Sequence, residues 1–299
     1  MDISFLKNCA LCPRECHADR TAGKGYCKVG DRLVVARAAL HMWEEPCISG
    51  EQGSGTVFFS GCSLGCVYCQ NKSISKDLAG KEISIERLAE IFLELQDKGA
   101  NNINLVTASH YVPYVIETLD IARAKGLNIP IVYNCGGYEK VQTLKLLEGY
   151  IDIYLPDLKY MSPEPAIKYS NCKDYFEAAS KAIEEMVRQI PQARFDSLGI
   201  MQKGVIVRHL TLPGHLEDSK KIIKYLYETY GDKIYISIMS QYTPISINPK
   251  YPELNRKIAQ KEYDELIDYA VNLGVQNGFI QEGDAAQESF IPEFNGEGV

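Results

Sequence analysis

The sequence predicts an α/β fold on a parallel sheet with right-handed crossovers, preceded by a cysteine-rich N-terminal stretch. Three observations carry that expectation. Strand-like and helix-like segments alternate six times along residues 55–273, the pattern of successive βαβ units. Uninterrupted apolar runs such as IPIVYN (129–134) and KGVIVRHL (203–210) fit strands buried on both faces. Seven of the ten cysteines fall in two short windows on turns containing Gly or Pro. At roughly 100–200 residues per domain, 299 residues allow one large domain or two smaller ones. With no internal repeat and no low-complexity linker, one core domain over 51–299 with an extension over 1–50 is the simplest organisation.

The extension carries Cys9, Cys12, Cys16 and Cys27 in the spacing C-x2-C-x3-C-x10-C, with Pro13, Gly23 and Gly25 as turn residues. Four thiolates suit either a structural zinc or a fully ligated iron–sulfur cluster, and the spacing does not choose between them. The run GTVFFSG (55–61) then reads as a short buried strand bounded by glycines. Cys62, Cys66 and Cys69 follow at once as C-x3-C-x2-C, with no fourth cysteine nearby. Three thiolates are one too few for a closed tetrahedral site or an ordinary cubane. An iron–sulfur cluster held by three would keep one iron open to a ligand; a zinc completed by a distant fourth residue is the alternative.

Segment 83–99 has Leu88, Ile91, Phe92 and Leu95 at helical spacing, Ser84 as N-cap and Gly99 as stop. A strand over 102–107 and a helix over 112–125, stopped by Gly126, come next. Strands at 129–134 and 151–157 flank a helix at 140–148, and a long helix covers 175–189. The last units are strand 205–212, helix 218–230, strand 234–239 and helix 261–273, trailed by the short apolar 278–280. Six units fall short of a closed eight-fold barrel.

Composition sets the class. A charged share of 24% and a hydrophobic share of 45% are those of an ordinary globular chain, which excludes wholesale disorder and a collagen-like repeat. The net charge of -7 argues against a protein that coats nucleic acid. No stretch nears the ~18–20 apolar residues that span a bilayer, and the N-terminus lacks a signal-peptide run, so a cytoplasmic protein with no membrane partner is expected. That compartment keeps thiols reduced, and ten cysteines there need an explanation other than disulfides.

The three-cysteine motif, with Tyr68 before its last Cys, resembles the signature of the radical S-adenosylmethionine (SAM) superfamily. The longer string GTVFFSGCSLGCVYCQN is similar to the pyruvate formate-lyase activating enzyme branch, and most of all to its uncharacterised homologs. The likeness continues through HMWEEPCISG, INLVTASHYVP, YNCGGYE, DIYLPDLKY, VIVRHLTLPGH and SQYTP, and so covers nearly the whole chain. It implies a partial (β/α)6 TIM-like barrel, and a [4Fe–4S] cluster on Cys62, Cys66 and Cys69 that chelates SAM. It further implies reductive cleavage to methionine and a 5′-deoxyadenosyl radical, for hydrogen abstraction from a target. A one-electron reductant such as flavodoxin or ferredoxin is then required. The target is a glycyl radical enzyme, or else a small molecule or another peptide or protein.

In such a barrel, polar residues just after a strand face the active-site mouth. Thr107, Ser109 and His110 follow the second strand, where much of the superfamily has a Gly-Gly-Glu segment for the SAM amino group; this chain has TASH instead. Asn134, Gly136 and Gly137 follow the third strand, where the activating enzymes have an Asn-Gly loop, and SAM contact is expected there; a plain tight turn is the alternative. Asp157 and Lys159 end the fourth strand on one face, as site residues or a structural ion pair. Arg208 is expected to clamp the SAM carboxylate, since guanidinium matches carboxylate bidentately. Tyr68 is expected against the adenine. Gln241 and Tyr242 are candidates for the lip. Cys47, Cys135 and Cys172 read as small buried apolar residues.

Overall fold

The computed structural model describes residues 4–244, 247–281 and 292–299. Its strands are β1 (Leu33–His41), β2 (Ser54–Phe59), β3 (Lys81–Ile83), β4 (Ile103–Val106), β5 (Ile131–Cys135), β6 (Ile153–Pro156), β7 (Arg194–Phe195), β8 (Met201–Leu210), β9 (Tyr235–Met239) and β10 (Gly278–Ile280). They form one sheet in the order β10-β9-β8-β6-β5-β4-β2-β1-β3, with β7 paired to β8 off that path. The run from β2 to β10 is parallel throughout. The sheet does not close, so the architecture is an open partial barrel. The six expected strands are joined by a seventh parallel one, β10, in the apolar stretch at 278–280.

Besides the two-residue β7, two further strands were not expected. β1 lies antiparallel to β2, His41 opposite Ser54, and β3 caps it as a short antiparallel edge. The last strand of the residue 1–50 segment is therefore hydrogen-bonded into the core sheet. Residues of the 292–299 segment return to the same strand: the Ala38 amide donates to the Glu297 carbonyl at 2.9 Å, and Arg37 pairs with Glu297 at 2.7 Å.

Helices cover the outside. The helix Ile85–Asp97 is capped by Ser84, whose hydroxyl accepts from the Arg87 amide at 3.1 Å. Its apolar stripe, Leu88, Ile91, Phe92 and Leu95, is at most 1% exposed. Each such side chain contributes roughly 1.5–3 kcal/mol over its exposed state. The helices Val112–Ala124, Tyr175–Gln189, Leu216–Tyr230 and Gln260–Leu273 repeat the arrangement, which leaves the C-terminal ends of the parallel strands free for a site. No helix among the described residues is long and apolar enough to cross a membrane.

Candidate functional site

β2 ends at Phe59, and the chain turns within three residues into the loop of Cys62, Cys66 and Cys69. All three thiols line one cavity of about 440 Å³. Its wall is assembled strand by strand: Thr107 after β4, Asn134 to Gly136 at β5, Asp157 and Lys159 after β6, Arg208 in β8 and Gln241 after β9. The floor comes from elsewhere. β1 runs against β2 and delivers Trp43, Glu44 and Glu45 from the opposite end of the barrel strands.

The thiols form no disulfides, and each accepts a hydrogen bond. The Leu64 amide lies 3.4 Å from the Cys62 sulfur, the Ser170 hydroxyl 3.0 Å from Cys66 and the Ser75 hydroxyl 3.4 Å from Cys69. Burial pushes the Cys62 thiol up to about 12, and the like charges of Cys66 and Cys69 add to it. Burial raises Cys69 as well, again with Cys66 adding. Three thiolates on a buried wall crowd negative charge that a thiophilic metal core would offset, and binding such a core deprotonates its ligands outright. The donor set is thus soft, one-sided and short of a fourth sulfur, which fits a three-cysteine iron–sulfur cluster. No three His, Cys, Asp or Glu side chains among the described residues gather closely enough to grip a single metal ion.

Lys159 and Asp157 form an ion pair beside the thiols. Burial would lower the lysine, but Asp157 and the nearby Cys66 and Cys69 sulfurs outweigh it and hold the ammonium above the usual range. Thr107 has φ +62, a strained conformation for a β-branched residue, and its amide donates to the Asn134 carbonyl at 2.9 Å. The Tyr68 ring borders the cavity but is packed edge-on by Tyr160, Tyr169 and Tyr242, with its hydroxyl bonded to Tyr160 at 2.6 Å.

Three expectations meet a different arrangement in the structure. Arg208 lines the cavity, but its guanidinium is already taken: Nε and Nη2 donate to Glu45 at 2.8 and 2.6 Å, and Nη2 also pairs with Glu44. A ligand carboxylate would have to displace a buried one to be clamped there. His110 points behind its loop, because the 3₁₀ turn Ser109–Tyr111 rotates it onto the Ser60 carbonyl at 2.8 Å. Ser109 faces the cavity instead. Gly137 lies outside the cavity wall and serves the backbone: at φ +77, a Cβ there would come within 2.0 Å of the Asp157 carbonyl oxygen.

Sequence spacing alone does not single out Glu44, Glu45 or Glu139. Glu44 and Glu45 precede the first barrel strand, where no strand-end rule applies. Glu139 closes the Asn134-Cys-Gly-Gly-Tyr run, and its proximity to the paired glycines is the one signal that points to it. It is buried and accepts from the Ser109 hydroxyl at 2.5 Å and the Tyr133 hydroxyl at 3.1 Å. Burial pushes its carboxyl from 4.5 up to about 7, against the pull of those bonds. The fold therefore holds this proton more tightly than the unfolded chain does. The resulting stability is fully present below about pH 4.5 and is lost as the pH rises through about 7. On the order of 3 kcal/mol is at stake. In unfolding measurements between about pH 5 and about pH 8, Glu139→Gln is expected to flatten this slope; an unchanged slope would contradict the assignment.

A family model described as the radical SAM superfamily matches residues 56–226, more than half of the chain. An uncharacterized protein of Methanocaldococcus jannaschii is 28% identical over 275 residues, 89% of this chain and 75% of that protein. The pyruvate formate-lyase-activating enzyme of Clostridium pasteurianum is 24% identical over 178 residues, 57% of this chain and 66% of that enzyme. The structure of Streptococcus suis SuiB bound to precursor peptide SuiA superposes with a TM-score of 0.48 at 11% identity. That superposition takes in 75% of this chain and 47% of SuiB, so the chain spans about half of SuiB's length.

Proposed function

Since the chain belongs to the radical SAM superfamily, we propose that Cys62, Cys66 and Cys69 hold a [4Fe–4S] cluster and that the chain cleaves SAM reductively in the cavity above them. The observation that carries this reading is the convergence of three unpaired thiols on one cavity walled by successive strand ends. When bound, the cluster and SAM supply one-electron cleavage of the sulfonium C–S bond, giving methionine and a 5′-deoxyadenosyl radical that takes a hydrogen atom from the target.

The protein's own part is placement and exclusion of water. Asn134, Gly136 and the hydroxyls of Thr107 and Ser109 offer polar contacts along the wall for the methionyl and ribose groups. Lys159, held by Asp157, brings positive charge to the thiol side. Tyr68 offers an aromatic edge, fixed by its tyrosine neighbours. The Glu44–Glu45–Arg208 group closes the floor. A one-electron donor of flavodoxin or ferredoxin type supplies the electron, in the cytoplasm.

Cys9, Cys12, Cys16 and Cys27 would hold a second iron–sulfur cluster, or a zinc on drawing closer together than they stand here. Residues 1–50 then form a metal-binding extension on the core of 51–299, anchored through β1. Similarity to an activating enzyme supports a glycyl radical enzyme as the target. The four-cysteine extension, and TASH where a Gly-Gly-Glu is usual, favour a second reading, a small molecule or another peptide. One experiment separates them. The anaerobic, reduced protein is given SAM with candidate glycyl radical enzymes, and the partner is examined by EPR. A doublet on the partner supports activation. 5′-Deoxyadenosine released only with a small substrate or peptide supports the second reading, and none released under any condition overturns both.

A further inference from the structure

Two arginines lie between the cysteines of the extension, and each reaches the cavity's supporting loops. Arg14, between Cys12 and Cys16, donates from Nε to the Ser63 carbonyl at 3.0 Å, from Nη1 to Asn171 at 2.8 Å and from Nη2 to Ser170 at 3.1 Å. Its guanidinium carbon lies 4.3 Å from the Tyr26 ring centre and 5.2 Å from that of Tyr138, contacting an aromatic of the extension and one of the β5 loop. The bonded residues matter. Ser63 follows Cys62 directly, and the Ser170 hydroxyl is the donor to the Cys66 sulfur. A second tie joins the same segments, from the Val67 amide to the Tyr169 carbonyl at 2.8 Å.

Arg20, between Cys16 and Cys27, is only 1% exposed. It donates to the His110 carbonyl at 2.8 Å and approaches the Cys9 sulfur at 3.7 Å. Its Nη2 has no partner, and it makes no ion pair with a carboxylate among the described residues. A buried cation of this kind requires negative charge close by. The sulfurs are the groups in place to supply it. A Cβ on Gly25 would lie 3.4 Å from the Cys27 sulfur, 3.6 Å from that of Cys16 and 3.8 Å from Arg20 Cδ. Cys9 thus lies against a fixed positive charge, with Cys16 and Cys27 gathered on the Gly25 side of the same arginine, an arrangement suited to an anionic metal–thiolate centre.

We propose that this extension tunes the cluster at Cys62, Cys66 and Cys69: the N-terminal thiol centre fixes Arg14, and Arg14 sets the cluster's reduction potential through Ser63 and Ser170. The inference rests on the reading that those three thiols hold a cluster. Positive charge and hydrogen bonds near the sulfurs stabilise the reduced state, which carries more negative charge, and so raise the potential. Arg14 contributes in both ways, by its own charge and by holding Ser170 so that its hydroxyl meets Cys66. It is a positioning residue.

The test uses the full chain, reconstituted anaerobically, with iron counted and the cluster's EPR signal followed in a redox titration. Arg14→Gln and Ser170→Ala should each move the midpoint to a more negative potential. Arg14→Lys keeps the charge without the three-carbonyl fork, and should recover part of the shift. Cys12→Ala combined with Cys16→Ala should shift it in the same direction as Arg14→Gln. A wild-type midpoint in Arg14→Gln with full iron content overturns the proposal. Should Arg14→Gln fail to retain iron, an unshifted Ser170→Ala, which loses a single hydroxyl, overturns it instead. If Cys66→Ala keeps all of the wild-type iron, the underlying assignment of the three thiols has failed, and the role of Arg14 falls with it for that separate reason.

Discussion

Replacing Cys66 by alanine is expected to reduce 5′-deoxyadenosine formation to the level of protein-free controls, while the barrel persists. Cys66 is buried, and its sulfur accepts the Ser170 hydroxyl. With only three thiolates available, the loss of one leaves a cluster with two protein ligands and removes the side that holds it. The change to the fold is small by comparison. Alanine vacates about one sulfur's volume in a loop, and the nearby strands β2, β4 and β5 keep their hydrogen bonds. Iron analysis sharpens the result, because about four irons should be lost whether the N-terminal thiols carry a second cluster or a zinc. Product at the wild-type rate from Cys66→Ala, or from the matching Cys62 or Cys69 variant, would sink the assignment.

Arg208→Met is expected to be the most destabilising single change in the cavity, at about 3–5 kcal/mol. The guanidinium is the cation bonded to two buried carboxylates, and the Asn104 and Asn134 side chains add donors to Glu44 at 2.9 and 3.4 Å. Burial pushes Glu45 up, yet Arg208 outweighs it and holds that carboxyl below its usual range. Without the arginine, two like charges share a poorly solvated floor. One of them must take up a proton or draw in water, and the floor loosens. The unfolding midpoint in urea reads the loss. Adding Glu44→Gln should restore part of it by removing one of the stranded charges. A double variant no more stable than Arg208→Met alone would mean that the arginine acts through packing.

Much of this was legible in the sequence wherever a single periodicity dominates. The helix expected over 175–189 spans Tyr175–Gln189, because its buried face recurs at helical spacing without interruption. The parallel strands are visible as apolar runs since both of their faces are covered. β1 escaped because LVVARAALH is buried at irregular positions and shows neither clean alternation nor a continuous run. The site divides in the same way. Thr107, Asp157 and Lys159 follow strands that can be recognised, and Asn134 sits near the end of another, so their place on the rim can be inferred. Glu44 and Glu45 precede the barrel and meet Arg208 across 164 and 163 positions. Arg14 likewise meets Ser170 across 156. Only the folded topology reveals such pairs, and for that reason the carboxylate partners of Arg208 are not legible in the spacing around it.

The way the cavity is assembled also dictates the order in which the protein can mature. On a ribosome, the thiol loop emerges 104 residues before Ser170, which supplies the Cys66 hydrogen bond, and later still come β8 and Arg208. Until those segments dock, the three sulfurs stand on an unfinished sheet edge, open to solvent and to oxidants. Loading iron before that point would place it on a surface with no walls. Cluster loading is therefore expected to follow completion of the chain, and a chain cut short before β8 should accumulate as an oxidation-prone, iron-free species.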